Sequence, residues 1–111
     1  MTTDSKKIFE DLVSTVIKED ASDLHLAEGR QPILRVSGFL IPITNHPVLT
    51  RSDVKGILDE ILDASKKEIF LDKKEVNFAY EVSQERFRCN AYFQLSRISI
   101  ALRLKIGRAH V

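Results

Sequence analysis

Two stretches decide the fold: RFRCNAYFQ at residues 86–94 and RISIALRLK at residues 97–105. In each, apolar side chains alternate with polar ones, and a period of two is typical of a half-buried β-strand. A tight hairpin through residues 95–96 places Phe93 and Ile98 on the same inward face. The sequence therefore predicts two paired antiparallel strands with one apolar and one polar face.

The same register brings positive charges together on the polar face. Arg88 is predicted to lie opposite Arg103, and Arg86 opposite Lys105. Like charges directly opposite one another destabilise a sheet. A chain that keeps four cations there is expected to place an anion against them.

An internal carboxylate offers an alternative explanation for these cations. Residues 76–82 alternate as a third strand, and a tight connection through residues 84–85 predicts that Glu81 lies opposite Arg88. The positive face is then partly neutralised within the sheet, and the remaining cations are solvated edge charges. The strand pattern alone favours this second interpretation over an anion site.

Composition limits the class of protein. The chain has 111 residues, 30% charged and 43% hydrophobic, which suits one small globular domain. Its net charge of +1 excludes a strongly basic nucleic-acid binder. No apolar run approaches the roughly 20 residues of a membrane span, and no secretory signal is evident. The single Cys89 has inward parity, so we expect a buried thiol in a reducing cytoplasm.

The remaining elements give an α+β fold. A helical apolar stripe covers residues 4–19, and two capping patterns, Thr50 with Asp53 and Ser65 with Glu68, begin two further helices. The predicted elements are, in order, a helix at 4–19, short strands near 23–26, 33–36 and 39–43, helices at about 51–62 and 66–71, and three longer strands to about residue 105. Tight turns between strands indicate a mixed, mostly antiparallel sheet with the helices packed on one face.

Catalytic motifs are missing from the sequence. There is no Gly-x-x-x-x-Gly-Lys-Ser/Thr loop for phosphates, and the three histidines are too scattered for a metal site. Asp23 and His25 lie two apart on one strand face, where they form either an acid–base pair or, more ordinarily, part of a polar network. We therefore expect no catalytic residues and no metal site in this chain.

The sequence resembles the type IV pilus retraction ATPases (the PilT family) of the secretion ATPase superfamily. The resemblance covers about residues 5–105 and is carried by two blocks in combination, ASDLHL at 21–26 and RFRCNA at 86–91. Further matching positions are Gly29, Pro32, Arg35, Val36, Gly38, Phe78, Tyr80, Glu81, Val82, Gln94, Arg97, Leu102 and Arg103.

This resemblance implies a PAS-like N-terminal domain of a hexameric cytoplasmic motor, peripheral to the inner membrane when assembled. It implies that an ATPase domain of the same or a neighbouring subunit follows, that ATP and Mg bind only in the full-length protein, and that the fragment is a monomer without cofactor. Carried over by position, Arg88, Arg97 and Arg103 approach the nucleotide phosphates, and Arg86 is a weaker candidate. A guanidinium fork suits phosphate oxygens. A free-standing PAS-like ligand- or partner-binding module is the alternative.

The chain departs from the family pattern at its end. Residues 1–105 correspond to the PAS-like domain, whereas residues 106–111, IGRAHV, do not continue it. We expect these last residues to be a non-native or truncated tail.

Overall fold

The computed structural model describes residues 3–82 and 84–105, with side chains from residue 5 onwards. The expected tail at residues 106–111 lies outside the described residues. The elements in chain order are α1 (Thr3–Lys18), β1 (Asp23–Ala27), β2 (Ile33–Val36), β3 (Phe39–Pro42), α2 (Arg51–Ile61), α3 (Ala64–Lys73), β4 (Glu75–Val82), β5 (Glu85–Gln94) and β6 (Arg97–Leu104). This order confirms the predicted α+β fold.

The six strands form one sheet in the order β3-β2-β1-β6-β5-β4, and all neighbouring strands in it are antiparallel. The β2–β3 hairpin turns at Ser37 and Gly38, whose φ angles of 51° and 83° suit a type I′ turn. Pro42 lies on the edge strand β3, as its missing amide hydrogen predicts. The β1–β6 pairing joins the first and last strands at the centre of the sheet.

The helices cover one face of this sheet, and the apolar core lies between them. The buried cluster combines Phe9, Leu12, Val13 and Val16 of α1 with Val54 and Ile57 of α2 and with Leu24, Leu26, Phe87, Ile100 and Leu102 of the central strands. Burying one such side chain contributes about 1.5–3 kcal/mol. The buried stripe of α1 runs through Phe9, whereas Ile17, near the end of the same helix, is 38% exposed.

Helices α1 and α2 approach each other at Gly56. A Cβ built there would lie 2.0 Å from Oγ of Ser5, whose side chain is buried in α1. Any larger residue at this position therefore requires Ser5 or the surrounding helix backbone to shift.

The β4–β5 register differs from the sequence prediction. Val82 pairs with Glu85, so Glu81 lies opposite Arg86, and Ala79 lies opposite Arg88. The expected pairing of Glu81 with Arg88 is wrong because Val82, and not residue 83, is the last paired residue of β4 before the connection, opposite Glu85. Moving a two-residue turn by one position moves every cross-strand partner by two. Arg88 therefore has no carboxylate directly opposite it on β4.

The N-cap of α3 also differs. Asp63 is the N-cap, and its carboxylate accepts a 2.9 Å hydrogen bond from the backbone N–H of Lys66. The predicted cap pairing of Ser65 with Glu68 is wrong because the helix begins two residues earlier than predicted, at Ala64. The Thr50–Asp53 capping box of α2 is confirmed. Among the described residues, no helix is both long and apolar enough to cross a membrane.

Candidate anion-binding face

The sheet face opposite the helices carries the polar side chains of the predicted strands. We call this the open face, and its residues lie in cross-strand rows set by the register. One row runs Arg35, Asp23, Arg103, Arg88 and Ala79 across β2, β1, β6, β5 and β4. The charged side chains of four neighbouring strands therefore meet at this end of the sheet.

The predicted opposition of cations is confirmed. Arg88 pairs with Arg103, and the backbone N–H of Lys105 donates a 2.8 Å hydrogen bond to the carbonyl of Arg86. Within the described chain, Arg88 has no hydrogen bond or ion pair from its side chain. This guanidinium is therefore available to an external anion.

Asp23 is the carboxylate of this cluster. Its side chain is 8% exposed and accepts hydrogen bonds from Oγ of Ser22 at 2.6 Å and Nε of Arg103 at 3.1 Å. The Nε of Arg35 lies 3.9 Å away. Burial acts to raise the pKa of Asp23, but the hydrogen bonds from Ser22 and Arg103 outweigh it, so the pKa is lowered. Asp23 is thus held ionised and is shared by two arginines.

This sharing leaves the cluster net positive. Arg103 uses Nε for Asp23, while its side chain remains 69% exposed. No other acceptor in the described part of the chain bonds its terminal nitrogens. Arg103 is therefore oriented by Asp23 and still presents N–H groups outward, a geometry that suits a phosphate oxygen.

His25 lies beside Asp23 on the open face, and one of its two ring nitrogens is shielded from water. Its Nε2 is buried and makes no hydrogen bond within the described part of the chain. Burial lowers the pKa of His25, Asp23 raises it, and Arg35 and Arg103 lower it further, with a net decrease. The imidazole is therefore neutral at pH 7. Asp23 is bonded to Ser22 and Arg103 instead, so the geometry favours the polar network over an acid–base pair.

Arg97 lies at the opposite end of the open face. It is six residues from Arg103 along β6, which at the rise of a strand is about 20 Å. A Cβ added at Gly29, whose φ is 85°, would lie 3.2 Å from Nη1 of Arg97. The structure therefore brings Arg88 and Arg103 together and keeps Arg97 apart from them.

Two further residues, missed at the sequence level, fix the hairpin turn next to Arg97. Glu28 accepts a 2.7 Å hydrogen bond from the backbone N–H of Ile98 and a 3.1 Å bond from Nε of Arg51. Arg51 also donates to the carbonyl of Ser96 at 2.6 Å. The bond from Ile98 is the main cause of the lowered pKa of Glu28. No local motif signals this clamp, because its members come from three distant parts of the chain.

Two concavities lie side by side on the open face. One, of about 590 Å³, is lined by Asp23, His25, Asn77, Arg88 and Arg103 among others. The other, of about 740 Å³, is lined by His25, Arg30, Arg35, Tyr92 and Arg97 among others. Both volumes fall in the range of small-molecule sites. Among the described residues, no group of three or more His, Cys, Asp or Glu side chains is arranged to hold a metal ion.

Cys89 lies beneath the first concavity but takes no part in its chemistry. The thiol is buried, and burial raises its pKa to about 12. A thiol with that pKa is not a nucleophile at neutral pH. This agrees with the expected inert, buried cysteine.

Comparison with known proteins identifies relatives of this domain. The chain is 35% identical over 85 residues to the type IV pilus retraction ATPase PilT of Pseudomonas aeruginosa, a match that covers 76% of the chain and 24% of the relative. It is 30% identical over 99 residues to the type IV pilus ATPase PilU of the same organism, covering 86% of the chain and 25% of the relative. The chain thus spans about a quarter of the length of these relatives. No family model matches the chain.

Solved structures show the same fold. The crystal structure of the pilus retraction motor PilT with bound ADP superposes with a TM-score of 0.76 at 26% identity, covering 84% of this chain and 27% of that one. The X-ray structure of the Legionella pneumophila ATPase DotB gives a TM-score of 0.73 at 24% identity, covering 89% of this chain and 29% of that one. In sequence and in fold, the chain matches less than a third of the length of each of these proteins.

Proposed function

We propose that this chain, which has the sequence and fold of the N-terminal domain of a PilT-like secretion ATPase, serves in a pilus retraction motor and contributes arginines to its nucleotide site. In this proposal the full-length protein is a hexamer on the cytoplasmic side of the inner membrane, where it powers twitching motility. ATP and Mg bind in the full-length protein only, at the contact with an ATPase domain of the same or a neighbouring subunit. The 111 residues contain no phosphate-binding loop.

The pair of opposed arginines supports this proposal most strongly. Arg88 lies directly opposite Arg103, and the cluster around them holds fewer carboxylates than cations. A polyphosphate delivered by a neighbouring ATPase domain relieves the repulsion and accepts hydrogen bonds from both guanidinium groups. This is positioning and charge stabilisation, which is the main protein contribution to phosphoryl transfer.

Arg97 takes a separate place in the proposal. Since it lies about 20 Å from Arg103 along β6, a single phosphate group cannot contact both. The Glu28–Arg51 clamp holds the turn next to Arg97, and the side chain of Arg97 lines the larger concavity. Arg97 is therefore proposed to contact a second anionic group, which lies either close to the same nucleotide or on a neighbouring subunit.

The test uses a chimera in which residues 1–105 replace the corresponding domain of P. aeruginosa PilT. We expect the isolated chain to release no phosphate from Mg-ATP above the buffer rate, and the chimera to hydrolyse ATP. Arg88→Gln and Arg103→Gln should each lower kcat by about 10²-fold, because a phosphate-contacting arginine contributes at least that much to phosphoryl transfer.

Arg86→Gln is the matched control, since Arg86 is also exposed but faces Glu81 across the strands. It should leave kcat within about twofold of the parent chimera. Hydrolysis by the isolated chain, or equal kcat values for the Arg88, Arg103 and Arg86 variants, would contradict the proposal.

A free-standing PAS-like binding module is the second candidate. Such a module would hold a small ligand in the larger concavity of the open face, which has a volume of about 740 Å³. In the motor domain the ligand is a nucleotide held together with an ATPase domain, whereas the free-standing module binds a small molecule by itself. A small molecule that binds the isolated chain tightly, with a chimera that lacks ATP hydrolysis, would support the module over the motor domain.

A further inference from the structure

The two edge strands of the sheet differ in what they offer to another chain. In β3, the cross-strand pairing leaves only Leu40 and Pro42 with outward backbone groups, and Pro42 has no N–H to donate. The strand is also only four residues long. Short strands and edge prolines are the usual ways in which a sheet prevents strand addition. β3 is therefore a protected edge.

β4 has none of this protection over its eight residues, Glu75–Val82. Val82 pairs with Glu85, which is three positions further along the chain, and the N–H of Phe93 donates to the carbonyl of Lys74 at 3.2 Å. These contacts show that the backbone groups of the even-numbered residues of β4 are hydrogen-bonded to β5. The outward backbone groups are therefore those of Glu75, Asn77, Ala79 and Glu81, and within the described chain none of them bonds another strand.

The side chains along this edge specify the chemistry of a partner. Glu75 and Glu81 are exposed on the open face, six residues apart, and neither forms an ion pair within 4.0 Å in the described chain. Glu75 accepts one neutral hydrogen bond from Asn90 at 3.0 Å, while Glu81 faces Arg86. On the helix side, Tyr80 and Val82 remain partly exposed and pack against the core.

We propose that β4 binds an extended segment of a partner protein as a seventh strand, with basic residues six positions apart opposite Glu75 and Glu81. Apolar residues of the intervening parity would cover Tyr80 and Val82. Main-chain hydrogen bonds supply the affinity in such strand addition, and the alternate side chains supply the specificity. Arg86 lies on the other side of Glu81, so Glu75 makes the larger contribution to charge selection.

A second copy of this chain does not fit the edge. The one antiparallel register that engages all four outward positions of both copies places Glu75 opposite Glu81 at each end. Like charges directly opposite destabilise a sheet. A basic strand has the opposite sign at both positions, and therefore fits where the chain itself does not.

The test titrates the full chain with an eight-residue peptide that has lysine at positions one and seven, threonine at three and five, and valine elsewhere. NMR should show slower hydrogen exchange, by about 10-fold or more, for the amides of Asn77, Ala79 and Glu81, because they gain hydrogen bonds to the peptide. Glu75→Lys should weaken binding by about 10-fold or more, and Glu81→Lys by less. A peptide with glutamate in place of both lysines should not bind.

A backbone variant separates strand addition from simple charge attraction. Ala79→Pro removes an outward N–H without removing a bond to β5, and should abolish binding, whereas Ala79→Val keeps the N–H and should bind as the parent does. Binding unaffected by the proline, shifts confined to the open face away from β4, or no saturable binding by the folded parent would overturn the proposal. Protection of the same amides by self-association in the absence of peptide would assign the edge to a second copy instead.

Discussion

At each end of the open face a carboxylate is bonded to an arginine, but the two carboxylates have different roles. At the Arg88–Arg103 end, the buried carboxylate of Asp23 is bonded to Ser22 and Arg103 and lies near Arg35. At the Arg97 end, the carboxylate of Glu28 is bonded to Arg51 and to the backbone N–H of Ile98. The carboxylate of Asp23 orients Arg103 of the candidate site, whereas the carboxylate of Glu28 fixes the turn beside Arg97.

This difference shows that the number of arginines on a face does not fix its binding capacity. What matters is which N–H groups the internal carboxylates leave free. Arg88 and Arg97 form no ion pair within the described chain, whereas Arg103 is anchored through Nε. The anchored arginine is preorganised for a ligand, and preorganisation lowers the entropy cost of binding.

The largest expected change in stability follows the removal of the buried carboxylate of Asp23. Asp23→Ala should lower the free energy of unfolding by about 2 kcal/mol, because it removes charged hydrogen bonds and leaves Arg35, Arg103 and Arg88 in one row without a carboxylate. Urea denaturation followed by circular dichroism measures it. Asp23→Asn, which keeps the shape and an acceptor oxygen, should cost less. Equal stability of the Ala variant and the parent would show that the network is only a surface feature.

The clamp at the other end should contribute less. Glu28→Ala should cost about 1 kcal/mol, because it removes one ion pair at a partly exposed site and one hydrogen bond to a turn. Glu28→Gln keeps an acceptor for the N–H of Ile98 and should recover about half of the loss. If Glu28→Ala destabilised the chain more than Asp23→Ala, the ranking of the two ends would be reversed.

The smallest expected effect is a pH dependence that originates at the Asp23 end only. The pKa of His25 is lowered from 6.5 in the folded chain, so the unfolded state binds the proton first as the pH falls. Its contribution to stability is complete above pH 6.5 and is lost progressively below that value, toward the folded pKa. We expect the urea concentration at the unfolding midpoint of the parent to decrease as the pH is lowered from 7.5 to 5.5.

His25→Gln is the control for this pH dependence, because it cannot titrate and should show a flatter profile over the same interval. The carboxylates do not interfere there, since the pKa values of Asp23 and Glu28 are lowered from 3.8 and 4.5 and titrate below the interval. A midpoint that rises on acidification, or an equal slope in the parent and the variant, would contradict the assignment to His25.

Local pattern was enough to predict much of this fold. The alternation in residues 86–105, with only two residues between its halves, specified both strands and the pairing of Arg88 with Arg103. The order of the elements, the edge position of Pro42 and the capping box of α2 were also predicted correctly. Each depends on residues that are neighbours along the chain or across one short turn.

The errors came from turns and caps with several equivalent candidates. Residues 83–86, Ser-Gln-Glu-Arg, allow a two-residue turn at 83–84 or at 84–85, and both keep the same inward face. The choice moved Glu81 from Arg88 to Arg86. Similarly, Asp63 and Ser65 are both good N-cap residues, and only the start of the helix decides between them.

The amino-acid sequence by itself determined the strands, their polar and apolar faces and the opposed arginines, because these are set by side-chain period and short loops. The likeness to PilT-like ATPases came instead from the identity of the residues in two blocks, 21–26 and 86–91. Only the tertiary structure decided where the charges are compensated. The pairing of β1 with β6 brings Asp23 to Arg103 across 80 residues, and the packing of α2 brings Arg51 to Glu28 and Ser96. No local pattern encodes such contacts, because they exist only once distant elements have packed together.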